Sequence, residues 1–263
     1  MLEVAPGRRK NQPEYSFPFS PWRVMRICGV LVLSTQIVVL FDIDGTLLST
    51  EVTEESEKQR YVEAIRDVVG KEPFVSPPRF AGMVDPQICT ILLEELGLSK
   101  EAVNRFLPNV LVRMSEVYRK MEKKIDLNVG VAGLLATLAI SPGHITAVLT
   151  GNLKEIAEQK LIQTDIRVYF SRLFCADHYF DRTTLVEDAV CTCVTEYGLR
   201  ARSDVIVVGD TPRDIDAANA SRATSVGIAS GVYNVYQLKE AGATYVYSNL
   251  KPTRELLTAL RVS

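Results

Sequence analysis

Residues Ile37-Val38-Val39-Leu40-Phe41 form an unbroken apolar run of strand length that stops at Asp42-Ile43-Asp44-Gly45-Thr46. A short apolar run bounded by turn residues is the pattern of a strand buried on both faces, as in a parallel sheet covered by helices. Ligands of open α/β sheets bind at the carboxyl ends of the strands. The run therefore delivers two acids to the edge where chemistry is done. Carboxylates this close repel each other and are costly to desolvate, so a cation or a catalytic task is expected to hold Asp42 and Asp44 there.

Beyond Gly130 the pattern alternates between helix and strand. Helices are expected over 133–139, 154–163, 183–197, 213–220, 235–241 and 253–260, and strands over 144–149, 173–176, 204–208, 223–228 and 244–247. Such alternation predicts right-handed crossovers onto a doubly wound, Rossmann-like parallel sheet. Between the first strand and Gly130 the periodicity is purely helical: Tyr61, Val62, Ile65, Val68 and Val69, then Ile88, Ile91, Leu92 and Leu96, then a stripe from Val103 to Met121 behind a Ser99 N-cap. Pro108 is expected to kink or split that last helix. The predicted organisation is an α/β core over 36–50 and 128–263, with an all-helical cap inserted over 51–127, placed to act as a lid. Residues 1–35 read as an extension, either disordered or targeting, whose basic residues precede an apolar stretch.

Composition narrows the function. A formal net charge of -2 in 263 residues leaves no basic excess for a phosphate backbone, so a nucleic-acid partner is not expected. The apolar segment over 25–41 is too short and too interrupted for a membrane span, which points to a cytoplasmic location unless the extension targets an organelle. Five scattered cysteines fit a reducing compartment, and Cys191 with Cys193 lacks a second pair to complete a zinc site. A monomer or homodimer is the expected assembly.

Two later strand ends match the first. Ala147-Val148-Leu149-Thr150-Gly151-Asn152 ends a strand in a hydroxyl and opens a helix whose first amides would face an anion, and Ile206-Val207-Val208-Gly209-Asp210-Thr211-Pro212-Arg213-Asp214 ends another in an acid. With these motifs in this order, from about residue 36 to the C-terminus, the chain resembles the haloacid-dehalogenase-like superfamily, in the subclass with a helical cap after the first strand and the phosphoglycolate-phosphatase-like branch.

That resemblance implies a Mg²⁺-dependent phosphatase acting on a small phosphorylated metabolite. Asp42 would be the nucleophile and Asp44 the general acid and base. Asp42, the main-chain carbonyl of Asp44, and Asp210 would hold Mg²⁺, with Asp214 beside the metal either through water or by orienting a basic partner. Thr150 would hold the phosphoryl group, with Gly151 and Asn152 as further substrate-binding positions. The family's cation for the phosphoryl and the aspartate is usually a Lys in a Lys-Pro-x-Pro sequence, which is missing here. Arg182 stands at about the right place, and Lys154 is the substitute candidate. An acid at Asp44 suits an alkoxide leaving group and so favours phosphate esters over halides. In the cap, Gly82-Met83-Val84-Asp85 departs from the Gly-Lys-Thr-Asp of related caps, and the neighbouring Arg79 is a candidate ligand for a substrate carboxylate or second phosphate. The alternatives are a sugar phosphomutase, which uses the same acids, and a catalytically silent binding protein of the same fold.

Overall fold

The computed structural model describes residues 26–27, 30–31, 36–121 and 124–262 of the chain. The extension expected over residues 1–35 lies outside the described residues, apart from two short antiparallel strands, Arg26–Ile27 and Val30–Leu31, in a unit of their own. Among the described residues no helix is long and apolar enough to cross a membrane.

From Ile37 onward the chain builds one six-stranded sheet, all of whose pairings are parallel. The strands are β1 (Ile37–Phe41), β2 (His144–Leu149), β3 (Leu173–Phe174), β4 (Val205–Gly209), β5 (Thr224–Ile228) and β6 (Tyr245–Tyr247), in the spatial order β3-β2-β1-β4-β5-β6. The direction of build-up reverses between β1 and β4, a topological switch point that leaves a crevice at the carboxyl edge. β1 is paired on both sides, with Val38–Phe41 opposite both Ile145–Val148 and Val205–Val208.

The alternation of β1 explains why its sequence is apolar throughout. Val39 and Phe41 face one core with Leu134, Leu135, Leu138 and Leu161, whereas Val38 and Leu40 face the other with Leu185, Val186, Ala189 and Ala217. Each side chain so enclosed contributes about 2 kcal/mol of burial free energy. The helices that cover these faces are α4 (Val131–Ile140), α5 (Lys154–Gln163), α6 (Arg182–Tyr197), α7 (Pro212–Ala220), α8 (Val235–Glu240) and α9 (Arg254–Ala259). The strand expected over 173–176 is shorter, because after Phe174 the chain turns to give the Ala176 amide to the Asn152 carbonyl, outside the ladder.

Between β1 and α4 stand α1 (Thr50–Val69), α2 (Asp85–Glu95) and α3 (Lys100–Lys120), around a third core that includes Tyr61, Ile65, Leu92, Leu107 and Met114, together with Leu153 and Ile156 from the start of α5. The Ser99 hydroxyl accepts from the Ala102 amide as an N-cap should. Pro108 does not split α3, which runs unbroken from Lys100 to Lys120. The carbonyl that Pro108 leaves without a donor belongs to Asn104, and both residues are exposed, so water can replace the lost hydrogen bond. The buried stripe of Val103, Leu107, Val110, Met114 and Val117 continues past the proline.

Candidate active site

The tips of β1, β2 and β4 open into a cavity of about 200 Å³, whose lining includes Asp42, Asp44, Thr150, Gly151, Asn152, Arg182 and Asp210 from this sheet edge and Tyr61, Phe80 and Met83 from the helices above it. At the tip of β1, the Asp42 amide still donates to the Val208 carbonyl of β4, so its carboxyl group starts where the ladder ends. The chain then turns tightly. Asn128 donates from Nδ2 to the carbonyls of Gly45, Thr46 and Leu48, and the Ser230 hydroxyl donates to Gly45, which fixes the loop that carries Asp44.

Asp42, Asp210 and Asp214 bring one carboxylate oxygen each within 4.8 Å of one another, all buried. Arg182 answers them. Its Nη2 donates to Asp42 Oδ1 at 3.0 Å and to the Leu149 carbonyl at 3.1 Å, and lies 2.7 Å from Asp214 Oδ1. The guanidinium is itself buried at the first turn of α6, anchored by an Asp181 N-cap that accepts from the Thr184 amide. The other oxygen of Asp214 accepts from the Thr211 hydroxyl and amide in a capping box, which aims Oδ1 at Arg182. Asp214 Oδ1 thus stands against the Arg182 guanidinium.

Three carboxylates against one guanidinium leave negative charge uncompensated in a desolvated place. Burial pushes Asp42 up to about 7, a shift that Arg182 opposes and that the charges of Asp214 and Asp44 reinforce. Burial, and then Asp214 and Asp42, hold Asp210 well above the ordinary carboxylate range. Among the described residues its one hydrogen bond from a side chain is a long one, 3.4 Å from the Thr46 hydroxyl. Converging hard oxygen donors of this kind, with surplus negative charge, fit a small divalent cation such as Mg²⁺.

Asp44 occupies a different environment two residues away. Lys160 Nζ donates to both its oxygens at 2.7 Å, and Asn152 Nδ2 donates to Oδ2 at 2.6 Å. Burial alone would raise its pKa, but the Lys160 ammonium and these hydrogen bonds carry it below the usual value. Lys160 was not among the residues expected at the site. The available signal is its place in α5, where Ile156, Ala157, Lys160 and Leu161 make the buried face: a lysine in an apolar stripe needs a partner.

The strand end at Thr150 differs from expectation in one respect. The first amides around the start of α5 are not open to an anion, because the Leu153 amide donates to Asp85 Oδ2 and the Lys154 amide to Asp177 Oδ2. What remains is the Thr150 hydroxyl, which accepts from both nitrogens of Asn152 and so keeps its own proton for a ligand. Asn152 is occupied by Thr150, Asp44 and Lys160 instead of facing the cavity with a free amide.

Two expected residues are not brought to the cavity. Arg79 pairs with Glu95 at 2.7 Å and is half-exposed, because the 3-10 turn Pro77–Phe80 buries Phe80 and directs Arg79 outward. Arg79 is therefore not among the residues that line the cavity, whose cationic residues from α1 are Lys58 and Arg60. Lys154 is exposed and does not line the cavity, so Arg182 is the cation that meets Asp42.

The lid-side loop is seated directly on this edge. The Asp85 amide donates to the Gly151 carbonyl at 2.8 Å, and a Cβ on Gly151 would lie 2.3 Å from the Met83 carbonyl oxygen, so only glycine permits the approach. Asp85 is buried and accepts two hydrogen bonds from Arg60 as well as the Leu153 amide. In the departing pair Met83-Val84, Val84 is fully buried among the core side chains and Met83 lines the cavity.

Residues 39–228 match the family model described as haloacid dehalogenase-like hydrolase, well over half of the chain. No curated protein matches. Among solved structures, a hydrolase from Pseudomonas syringae is similar at a TM-score of 0.65 and 22% identity, covering 86% of this chain and 98% of its own. CbbY from Rhodobacter sphaeroides, solved in complex with phosphate, is similar at 0.64 and 18%, covering 86% and 100%. A predicted phosphoglycolate phosphatase from Haemophilus somnus is similar at 0.63 and 18%, covering 86% and 98%. At these identities the likeness to the solved structures concerns the fold.

Proposed function

This chain belongs to the haloacid dehalogenase-like hydrolase family, and on that premise we propose that it is a Mg²⁺-dependent phosphatase that hydrolyses a small phosphorylated metabolite through a phosphorylated Asp42. The observation that carries this reading is the division of labour between two acids two residues apart. Asp42 sits in an acidic cluster against Arg182, whereas Asp44 is held separately by Lys160 and Asn152. Asp42 faces the oxygens that would hold a cation, which would keep it ionised to attack, and the Asp44 carboxylate stands apart from that cluster, where it can serve proton transfer.

Asp42 Oδ would attack phosphorus in line, forming the Asp42–phosphorus bond as the ester bond breaks. Asp44, held ionised by Lys160 in the resting site, would take up a proton from solvent as the phosphorylated substrate binds and pass it to the departing oxygen. In the second step Asp44 takes a proton from the water that attacks phosphorus, the Asp42–phosphorus bond breaks, and phosphate leaves. Arg182 would offset charge on Asp42 and on the phosphoryl oxygens, to which its planar fork is suited. The Thr150 hydroxyl would donate to another phosphoryl oxygen. Asp42 and Asp210, with the main-chain carbonyl of Asp44, would hold Mg²⁺, which supplies neutralisation of phosphoryl charge when bound. The carboxylate of Asp44 is committed to Lys160 and Asn152, so only its carbonyl is left for that task.

The test is phosphate release from a panel of phosphorylated metabolites with and without Mg²⁺, using wild type and Asp42→Asn. Mg²⁺-dependent release that Asp42→Asn lowers at least about 10³-fold supports the mechanism. Retained turnover in the variant refutes it. Product analysis separates hydrolysis from return of the phosphoryl group to a bound sugar.

A further inference from the structure

The Lys160 ammonium is fully buried, and its position is over-determined. Nζ donates to both oxygens of Asp44 and, at 3.2 Å, to Asn152 Oδ1; it lies 2.7 Å from Glu57 Oε1 and 5.6 Å from the centre of the Tyr118 ring. Asp44, Asn152 and Lys160 itself come from the sheet edge and α5, whereas Glu57 comes from α1 and Tyr118 from α3. Glu57 is fixed in turn by Arg60 at 2.7 Å, the residue that grips Asp85. The charge on Lys160 is thus shared between the acid at the reacting edge and an acid of the helical lid.

A structural ion pair needs one partner. Here a single ammonium clamps both oxygens of Asp44 while Asn152 holds one of them from another side, so the carboxyl group keeps one rotamer and one plane. Proton transfer depends on that geometry, since donor and acceptor must come within hydrogen-bond reach along the reaction path.

Resting on the phosphatase reading above, we propose that Lys160 is a positioning residue, anchored by Glu57 of the lid, that holds Asp44 in place to protonate the leaving group. Asp44 takes up a proton from solvent when the substrate binds, and that proton moves from Asp44 to the ester oxygen as the phosphorus–oxygen bond breaks; Lys160 neither gives nor takes one. The role makes Lys160 matter in proportion to how much the leaving group needs a proton.

Two aryl phosphates differ in that need and in little else. Phenyl phosphate expels a phenolate about as basic as tyrosinate, pKa about 10, whereas the nitro group of p-nitrophenyl phosphate delocalises the departing charge. Lys160→Met is expected to lower kcat/KM for phenyl phosphate about 100-fold, the lower end of what general acid catalysis supplies, and for p-nitrophenyl phosphate less than about 5-fold. Glu57→Gln, which keeps its volume, is expected to show the same selectivity at about 10-fold, and serves where Lys160→Met does not fold. Equal losses on both esters in the variants that fold overturn the role of Lys160. Wild type that with Mg²⁺ releases phosphate neither from these esters nor from the metabolite panel overturns the phosphatase reading, and with it this one.

Discussion

Asp210→Asn is expected to make the metal-free protein more stable and the Mg²⁺-bound protein less so. In the metal-free state Asp210 faces Asp42 and Asp214 within 4.8 Å, and two like charges at that distance repel by about 3.5 kcal/mol at an effective dielectric of about 20. The acid can escape by taking up a proton, which costs about 1.4 kcal/mol for each pH unit above its ordinary pKa. From the ordinary value of 3.8, that ceiling is about 1.6 kcal/mol at pH 5 and about 5.7 kcal/mol at pH 8. Allowing for the attraction of Arg182, the variant should gain about 1 kcal/mol at pH 5 and about 3 kcal/mol at pH 8. The sign follows from the direction of the shift. An acid whose pKa is raised on folding binds more protons folded than unfolded, so metal-free wild type loses stability as pH rises above 3.8, and the amide, which does not titrate, does not. Thermal unfolding in EDTA at both pH values reads the effect as about 2–4 °C per kcal/mol for a chain of this size. With Mg²⁺ at a hundred times its dissociation constant, wild type should gain about 2.7 kcal/mol and the variant little. A metal-free variant that melts below wild type at pH 8, or one that Mg²⁺ stabilises equally, refutes the cluster as a cation site.

Arg182→Ala leaves Asp42 and Asp214 without their shared cation and should destabilise the protein by about 3–5 kcal/mol, measured by denaturant unfolding. Arg182→Lys should recover part of the stability and of the turnover, because charge returns without the planar fork. Gly151→Ala pushes a methyl group to 2.3 Å from the Met83 carbonyl oxygen, a strain of about 1–3 kcal/mol that the lid relieves by lifting; the expected result is a raised KM with an unchanged Mg²⁺-induced melting shift. Asp85→Asn weakens the grip on Arg60 and the Leu153 amide, and limited proteolysis should then cut the lid helices sooner than in wild type.

Much of this was legible because strand ends announce themselves. β1 is apolar along its whole length since both of its faces are covered, and its two acids have no structural reason to stand where they do. Arg182 is a candidate through the resemblance, which places a cation between Thr150 and Asp210, where the helix it starts follows the strand next to β2. Lys160 left only the weaker signal of its place on the apolar face of α5, since a lysine within an amphipathic helix ordinarily faces water, and its partners Asp44 and Glu57 are distant in sequence. Arg79 stands outside the cavity lining for the converse reason: a 3-10 turn presents successive residues to different sides, and the sequence does not say which of Arg79 and Phe80 turns inward. The amides at the start of α5 are expected from the sequence to face an anion; the acids that occupy those of Leu153 and Lys154, Asp85 and Asp177, are distant in sequence.

Asp210 is walled in by backbone. A Cβ on Gly45 would come within 2.2 Å of its Oδ2, and one on Gly231 within 1.7 Å, so the two glycines press on the carboxylate with no side chain to yield. Such a wall discriminates by ionic radius. Calcium binds oxygen at longer range and gathers more ligands, for which this carboxylate would have to retreat into the glycine backbones, so calcium should occupy the site poorly and compete only weakly with magnesium.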